Sequence, residues 1–218
     1  MHRSFVCIMT LFTIYFLHAN NTEIEFFQHL SSEELNSFIV YTNLKDYGLS
    51  CLRHYVFDNI SFVNINLAGS KLAGIRMNKA ILRGACLQSS NLAGSYFIQC
   101  DFSGANFTKS KCFNSDFTGS TLVAVDLRDA KLAGSILSEA NLSFSDLRGS
   151  SLHKVKLQGT TLLHCKITTE QLKDIDLDIV INNKMQVFDD QGCILDKAEI
   201  MECYKKQYPV RFAFQYST

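Results

Sequence analysis

One proline in 218 residues, no tryptophan and no net charge remove the support for several ordinary kinds of protein. A chain with a single proline is poor in the turn chemistry of a loop-rich enzyme. Its 17 phenylalanines point instead to a long repetitive core. With 21 basic and 21 acidic side chains, the whole molecule has no strong attraction for nucleic acid or an anionic membrane. There is no Cys-x-x-Cys pair and no cysteine and histidine cluster at zinc spacing, so neither a metal nor another cofactor is expected. The length fits one domain.

Long apolar runs are also scarce. The run from Phe5 to Leu17 follows His2 and Arg3 and has only 13 residues, short for a membrane span and normal for a secretory signal. Cleavage after Ala19 gives an exported chain, periplasmic or secreted; an uncleaved anchor and a cytoplasmic chain are the alternatives. Export permits disulfides, and seven cysteines follow Ala19, an odd number that leaves at least one unpaired.

What the chain has in abundance is a period of five. In NLAGSKLAGI, Asn66 to Ile75, Leu67 and Leu72 are each followed by Ala-Gly. Every fifth residue from Leu52 to Leu177 is Leu, Phe, Met or Ile, with Cys112 the one exception among 26 positions. Two places before these centres stand small residues such as Ala80, Ala85, Ser90 and Cys100, with Val125 and Val155 larger. Mostly polar residues flank the centres, and nine of the eleven glycines stand two places after one. Neither a helix nor a strand has this period. Five residues therefore read as small-inward, polar-outward, large-inward and a two-residue turn. A chain that turns every five residues must coil, and with four sides per coil, residues twenty apart stack.

The units ANFTK, SDFTG, VDLRD, ANLSF and SDLRG, beginning at Ala105, Ser115, Val125, Ala140 and Ser145, resemble the consensus of the pentapeptide-repeat family. The resemblance spans about half the chain in an unbroken run of 23 units. It implies an all-β solenoid, a right-handed quadrilateral parallel β-helix with small mixed helical and strand caps. At about 4.8 Å per coil, nearly six coils make a rod about 28 Å long. One branch of the family, the fluoroquinolone-resistance proteins, presents an acidic rod that imitates duplex DNA and occupies a topoisomerase. Here residues 57–167 hold 12 Lys and Arg against 7 Asp and Glu. A rod near +5 lacks the dense negative charge of a duplex, so this reading is the disfavoured alternative.

The expected organisation is a signal peptide at 1–19, an N-terminal helical cap at 20–56, the repeat at 57–167 and a C-terminal α/β cap at 168–218. Ser31 and Glu34 form a capping box before the apolar residues Leu35, Phe38 and Ile39. Tyr55, Ile60 and Ile65 are large for the small position, which predicts an irregular first coil. After the repeat, Thr168 and Gln171 form a second capping box, while Glu170 falls on an inward position and predicts the end of the regular coil. Lys184 to Phe188 reads as a strand, and Asp196 to Tyr208 as a helix stopped by Pro209.

Within the repeat, Phe97, Phe102 and Phe107 share a coil whose fourth centre is Cys112, and Phe117 stacks on Phe97. Cys112 reads as a filler beside bulky rings. Cys100 and Cys165 are also inward and free, while Cys193 and Cys203 lie outside the coil and are the best local candidates for a bridge. His153 and His164 read as surface residues. Asp116, Asp126 and Asp146 recur at one polar position, where bonding to backbone explains them better than acid catalysis. The Asn-x-Ser/Thr triplets at Asn59, Asn106 and Asn141 arise automatically from the repeat. Lys71, Lys111, Lys131 and Lys154 share one acid-free side that alanine and glycine keep flat. The expectation is a non-enzymatic interaction or scaffold protein offering that side to an acidic protein or anionic surface. No specific nucleic acid is expected, and a homodimer through the C-terminal segment is a further candidate contact.

Overall fold

The computed structural model describes residues 57–209, 212 and 213. The expected signal and N-terminal helical cap lie outside the described residues. Within them, the period of five becomes a unit of one bridge and one turn. The residue before each centre forms a parallel bridge with its counterpart twenty residues on, from Ser61 with Ile81 to Asp146 with Lys166, giving 18 such bridges in four columns. Three recurring backbone hydrogen bonds tie a unit to the next turn of the coil. Leu87 N donates to Asn106 O at 2.7 Å, Ser89 N to Thr108 O at 2.9 Å, and Asn106 N back to Ala85 O at 2.9 Å.

Between bridges the chain reverses through a four-residue turn, as where Ser70 N donates to Leu67 O at 3.1 Å. The third residue of the turn is left-handed, with φ of 70° at Gly69 but also 57° at Lys79 and 64° at Phe144. Packing thus imposes the conformation even on residues that disfavour it. Gly134 satisfies a second requirement, because an added Cβ there would collide with the Asn114 carboxamide.

Every described centre from Phe57 to Leu177 is buried except Leu157, which is partly buried. The Phe97 and Phe117 rings stack with centroids 5.2 Å apart, while Phe97 with Phe102 and Phe102 with Phe107 meet edge-on at 5.4 and 5.0 Å. Cys112 is completely buried beside them. The small inward position also supplies donors: Ser95 Oγ to Leu72 O at 2.9 Å, Ser115 Oγ to Leu92 O at 2.7 Å, and the Cys165 thiol to Leu142 O at 2.8 Å. Each ties its coil to the centre of the one before, so the position can hold a donor as well as a small apolar residue.

The first described coil is regular, contrary to the expectation from its large inward residues. Ile60 and Ile65 are 2% and 1% exposed, and Ser61 and Asn66 beside them hold their bridges. Twenty residues on stand Ala80 and Ala85, whose small side chains leave room for the branched ones.

At the other end, the coil's pairing outlasts its sequence pattern. Strand β1 (Lys166–Thr168) pairs in parallel with β2 (Gln186–Phe188), again twenty residues apart. The path between them is a 3₁₀ helix (Thr169–Lys173) and α1 (Leu177–Asn182), yet Leu172 and Leu177 remain fully buried at their five-residue positions. Glu170 is exposed. The backbone has left the repeat while the side chains still fill its core.

The cap closes the coil through polar groups. Gln171 Nε2 donates to Leu147 O at 2.7 Å and Ser150 O at 2.9 Å, while its Oε1 accepts from Thr168 N at 2.8 Å. Asn183 O accepts from His164 N at 3.0 Å. On the outer edge of β2, Val187 O accepts from Leu195 N at 2.9 Å, which blocks further strand addition there. Helix α2 (Lys197–Gln207) starts with reciprocal bonds between Asp196 and Glu199 and buries Ile200 and Tyr204.

Cys193 and Cys203 are free thiols, which overturns the expected bridge. Cys193 is held in an exposed turn by its N–H on Asp189 Oδ1, and Cys203 Sγ accepts from Gln207 Nε2 along α2.

Two measurements check this architecture. Phe107→Asp places an unpaired charge in a filled layer and should abolish the cooperative thermal transition followed by circular dichroism. Phe113→Asp, at a residue 37% exposed, should melt close to the parent. Gln171→Ala strands the Leu147 and Ser150 carbonyls and should lower the unfolding free energy in urea by about 1–3 kcal/mol.

Candidate interaction face

One of the four bridge columns runs Lys71, Asn91, Lys111, Lys131, Ser151. Its three lysines are exposed, and their Cα atoms are fixed by backbone pairing at about 4.8 Å per rung. Lys154 is not in the column. It occupies the left-handed corner after Ser151, with φ of 57°, exposed at the end of the same side. The core residues expected from the sequence, Phe97, Phe102, Phe107, Cys112 and Phe117, lie behind these sides and are at most 1% exposed.

The corner that follows the column carries Ala73, Ala93, Phe113, Ala133 and His153 in successive coils. The side is therefore flat except where the Phe113 ring and, at its end, the His153 ring emerge. At the preceding corner stand Lys109 and Asp129, both exposed, and Asp129 is the one acid at either border.

Ion pairing in the repeat separates its arginines from its lysines, and this side carries lysines on neighbouring rungs of one column. All four arginines of the repeat are paired: Arg76 with Asp58 at 3.2 Å, Arg83 with Asp101, Arg128 with Asp126 at 2.6 Å and Arg148 with Asp146 at 2.6 Å. The last two reach back two residues along the same unit, and the guanidinium fork matches the carboxylate. The side-chain hydrogen bond from Arg128 holds the Asp126 carboxyl below the usual carboxylate range. Burial alone would raise Asp101, but hydrogen bonds from Ser103 and Arg83 lower it. Among the described residues no ion pair involves Lys71, Lys111, Lys131 or Lys154.

The other polar candidates serve the coil. Asp116 Oδ1 accepts from Thr118 N at 2.9 Å, and Asn106 and Asn141 close their turns in the same way. His153 is exposed with Nδ1 3.8 Å from Asp174, and His164 lies against the Phe144 ring at 5.3 Å. No group of three or more His, Cys, Asp or Glu is placed to hold a metal ion among the described residues. Burial pushes the thiols of Cys100, Cys112 and Cys165 up to about 12, which keeps them protonated and unreactive near neutral pH. What remains exposed on this side is the positive charge of Lys71, Lys111, Lys131 and Lys154.

Reading the sequence missed three features of this side. The Asp-x-Arg spacing in VDLRD and SDLRG signalled that those arginines are neutralised locally. Lys109 and Phe113 were legible as border positions once four units were folded into a coil.

Family comparisons agree with the geometry. A family model described as a pentapeptide repeat region matches residues 90–167, and one described as pentapeptide repeats (8 copies) matches residues 60–97. The chain belongs to the pentapeptide-repeat family. Similar solved structures include a pentapeptide repeat protein from the Arabidopsis thaliana thylakoid lumen, 20% identical, covering 56% of this chain and 70% of its own, with a TM-score of 0.41. HetL from Nostoc sp. strain PCC 7120, involved in heterocyst differentiation regulation, is 17% identical, with coverage of 77% and 100% and a TM-score of 0.40. QnrB1, a plasmid-mediated fluoroquinolone resistance protein, is 16% identical, with coverage of 69% and 88% and a TM-score of 0.40. No curated protein matches the chain.

The inward thiols yield a pH prediction. Their folded pKa of about 12 lies above the ordinary value near 9, so the folded state keeps protons that the unfolded chain releases. Their contribution to stability is complete below about pH 9 and declines as pH rises toward 12. Urea midpoints should fall over that window more steeply for the parent than for a Cys100→Ala, Cys112→Ala, Cys165→Ala variant. An alkylating reagent at neutral pH should label none of the three in the native protein.

Proposed function

We propose that this chain is a non-enzymatic interaction or scaffold protein, exported from the cytoplasm. Its right-handed quadrilateral β-helix holds Lys71, Lys111 and Lys131 in a line, with Lys154 at the end, against an anionic partner. The observation that carries this reading is the contrast in charge pairing. Asp126 and Asp146 are bridge partners, and each is neutralised by its own arginine. Lys111 and Lys131 are bridge partners with no such relief. Like charges directly opposite one another on a sheet destabilise it, so a column that keeps them is explained by what they bind. The same positive column opposes the alternative of a topoisomerase-binding DNA mimic, which needs dense negative charge.

The test compares two charge-matched variants of the full chain binding soluble polyglutamate. Substituting Lys71, Lys111, Lys131 and Lys154 by Gln should weaken binding about ten-fold at low salt, at up to about 1 kcal/mol per exposed charge. Substituting Lys79, Lys156, Lys166 and Lys184, which lie on other sides, should leave most of the affinity. Binding should also fall as salt approaches 0.15 M, where the screening length is about 8 Å. Equal loss in both variants would mean that only net charge matters, and the face would have no special role.

A further inference from the structure

We infer that the partner of this face is the headgroup layer of an anionic membrane, with the lysine column lying along it and the Phe113 ring entering it. The inference rests on the reading of the column as an anion-binding face and commits it to one partner.

Three features favour a lipid surface over an acidic protein. First, the face is a plane without a receptacle. From Lys71 to Lys131 the column covers three rungs, roughly 14 Å, and its other bridge residues are the short Asn91 and Ser151. Second, the charges are lysines. Fixed recognition of a carboxylate favours the guanidinium fork, and all four repeat arginines are occupied by aspartates of the coil. A compact ammonium on a flexible stem instead suits the diffuse field of headgroups, where the stem lies on apolar material and the charge stays in water. Third, the following corner presents an apolar ring between the first and last lysines of the column, with His153 beyond the last of them. Phe113 follows the Lys111 unit's centre, is 37% exposed, and stands where Ala73, Ala93 and Ala133 occupy the neighbouring coils. Tyr96, 51% exposed, begins the adjoining side three residues after Ala93. An aromatic ring beside unpaired lysines is the composition of a membrane-interface contact. Asp129, the one bordering acid, lies at the opposite corner from Phe113.

The test is co-sedimentation of the full chain with vesicles of phosphatidylcholine alone and with vesicles containing about 30% phosphatidylserine, an anionic lipid of the kind that attracts basic surfaces. Binding should require the anionic lipid. Substituting Lys71, Lys111 and Lys131 by Gln should reduce it on the order of 100-fold, at about five-fold per lysine, while the Lys79, Lys156 and Lys166 variant should bind nearly as well as the parent. Phe113→Ser should lose roughly five-fold on these vesicles, since apolar area no longer leaves water, and should bind polyglutamate unchanged. Circular dichroism verifies that every variant is folded.

A parent that binds polyglutamate through the lysine face but ignores anionic vesicles overturns the membrane assignment and leaves the proposed function standing. A parent that binds neither overturns both. Equal binding to neutral and anionic vesicles, untouched by the lysine substitutions, would place the contact in the apolar run from Phe5 to Leu17 and also overturn the inference. An unaffected Phe113→Ser variant would refute insertion of the ring.

Discussion

The backbone ladder between residues twenty apart is the constraint from which the rest follows. Each unit donates and accepts along fixed directions to the turns before and after it, so every side chain has its counterparts at plus and minus twenty as neighbours. A position must therefore be compatible with its own column. Inward donors such as Ser95, Ser115 and Cys165 satisfy this by donating to the centre carbonyl of the preceding coil. Phe97 and Phe117 satisfy it by stacking, and Ile60 and Ile65 by standing over alanines.

The same ladder makes electrostatics a matter of columns. Two carboxylates at adjacent rungs repel unless each carries its own counter-charge, and the Asp-x-Arg unit supplies one within two residues. Charge on that side is thus self-neutralised and contributes mainly to order in the turns. The lysine column has no such arrangement. Folding alone gives no reason to align unpaired like charges, and local rules yield most often where a surface has another task.

A coil of this kind also has to stop. Its end exposes backbone groups that would otherwise pair with another chain. Here the chain crosses the end of the core with two short helices while Leu172 and Leu177 keep the core filled. The side chains of Gln171 and Asn183 take up groups that the next coil would have bonded, and a short antiparallel contact from Leu195 occupies the outer edge of β2. Closure is achieved by polar side chains imitating backbone.

The sequence by itself determined the repeat, because its information is local and redundant: 26 centres at one spacing specify the inward set, the corners and the twenty-residue stack without any distant contact. The phenylalanine layer, the filler role of Cys112 and the shared side of Lys71, Lys111 and Lys131 were legible for that reason. The tertiary structure alone decided where periodicity gives no instruction. The first described coil is regular because Ala80 and Ala85 leave room for Ile60 and Ile65. The pairing continues past Glu170 because β2 returns in register. Cys193 and Cys203 stay apart because one sits in an exposed turn and the other on α2. Gln171 becomes a plug because its amide meets carbonyls 21 and 24 residues earlier. Arg76 and Arg83 are neutralised by carboxylates eighteen residues away, so their pairing appears only once the coil is closed, whereas Arg128 and Arg148 pair within their own units.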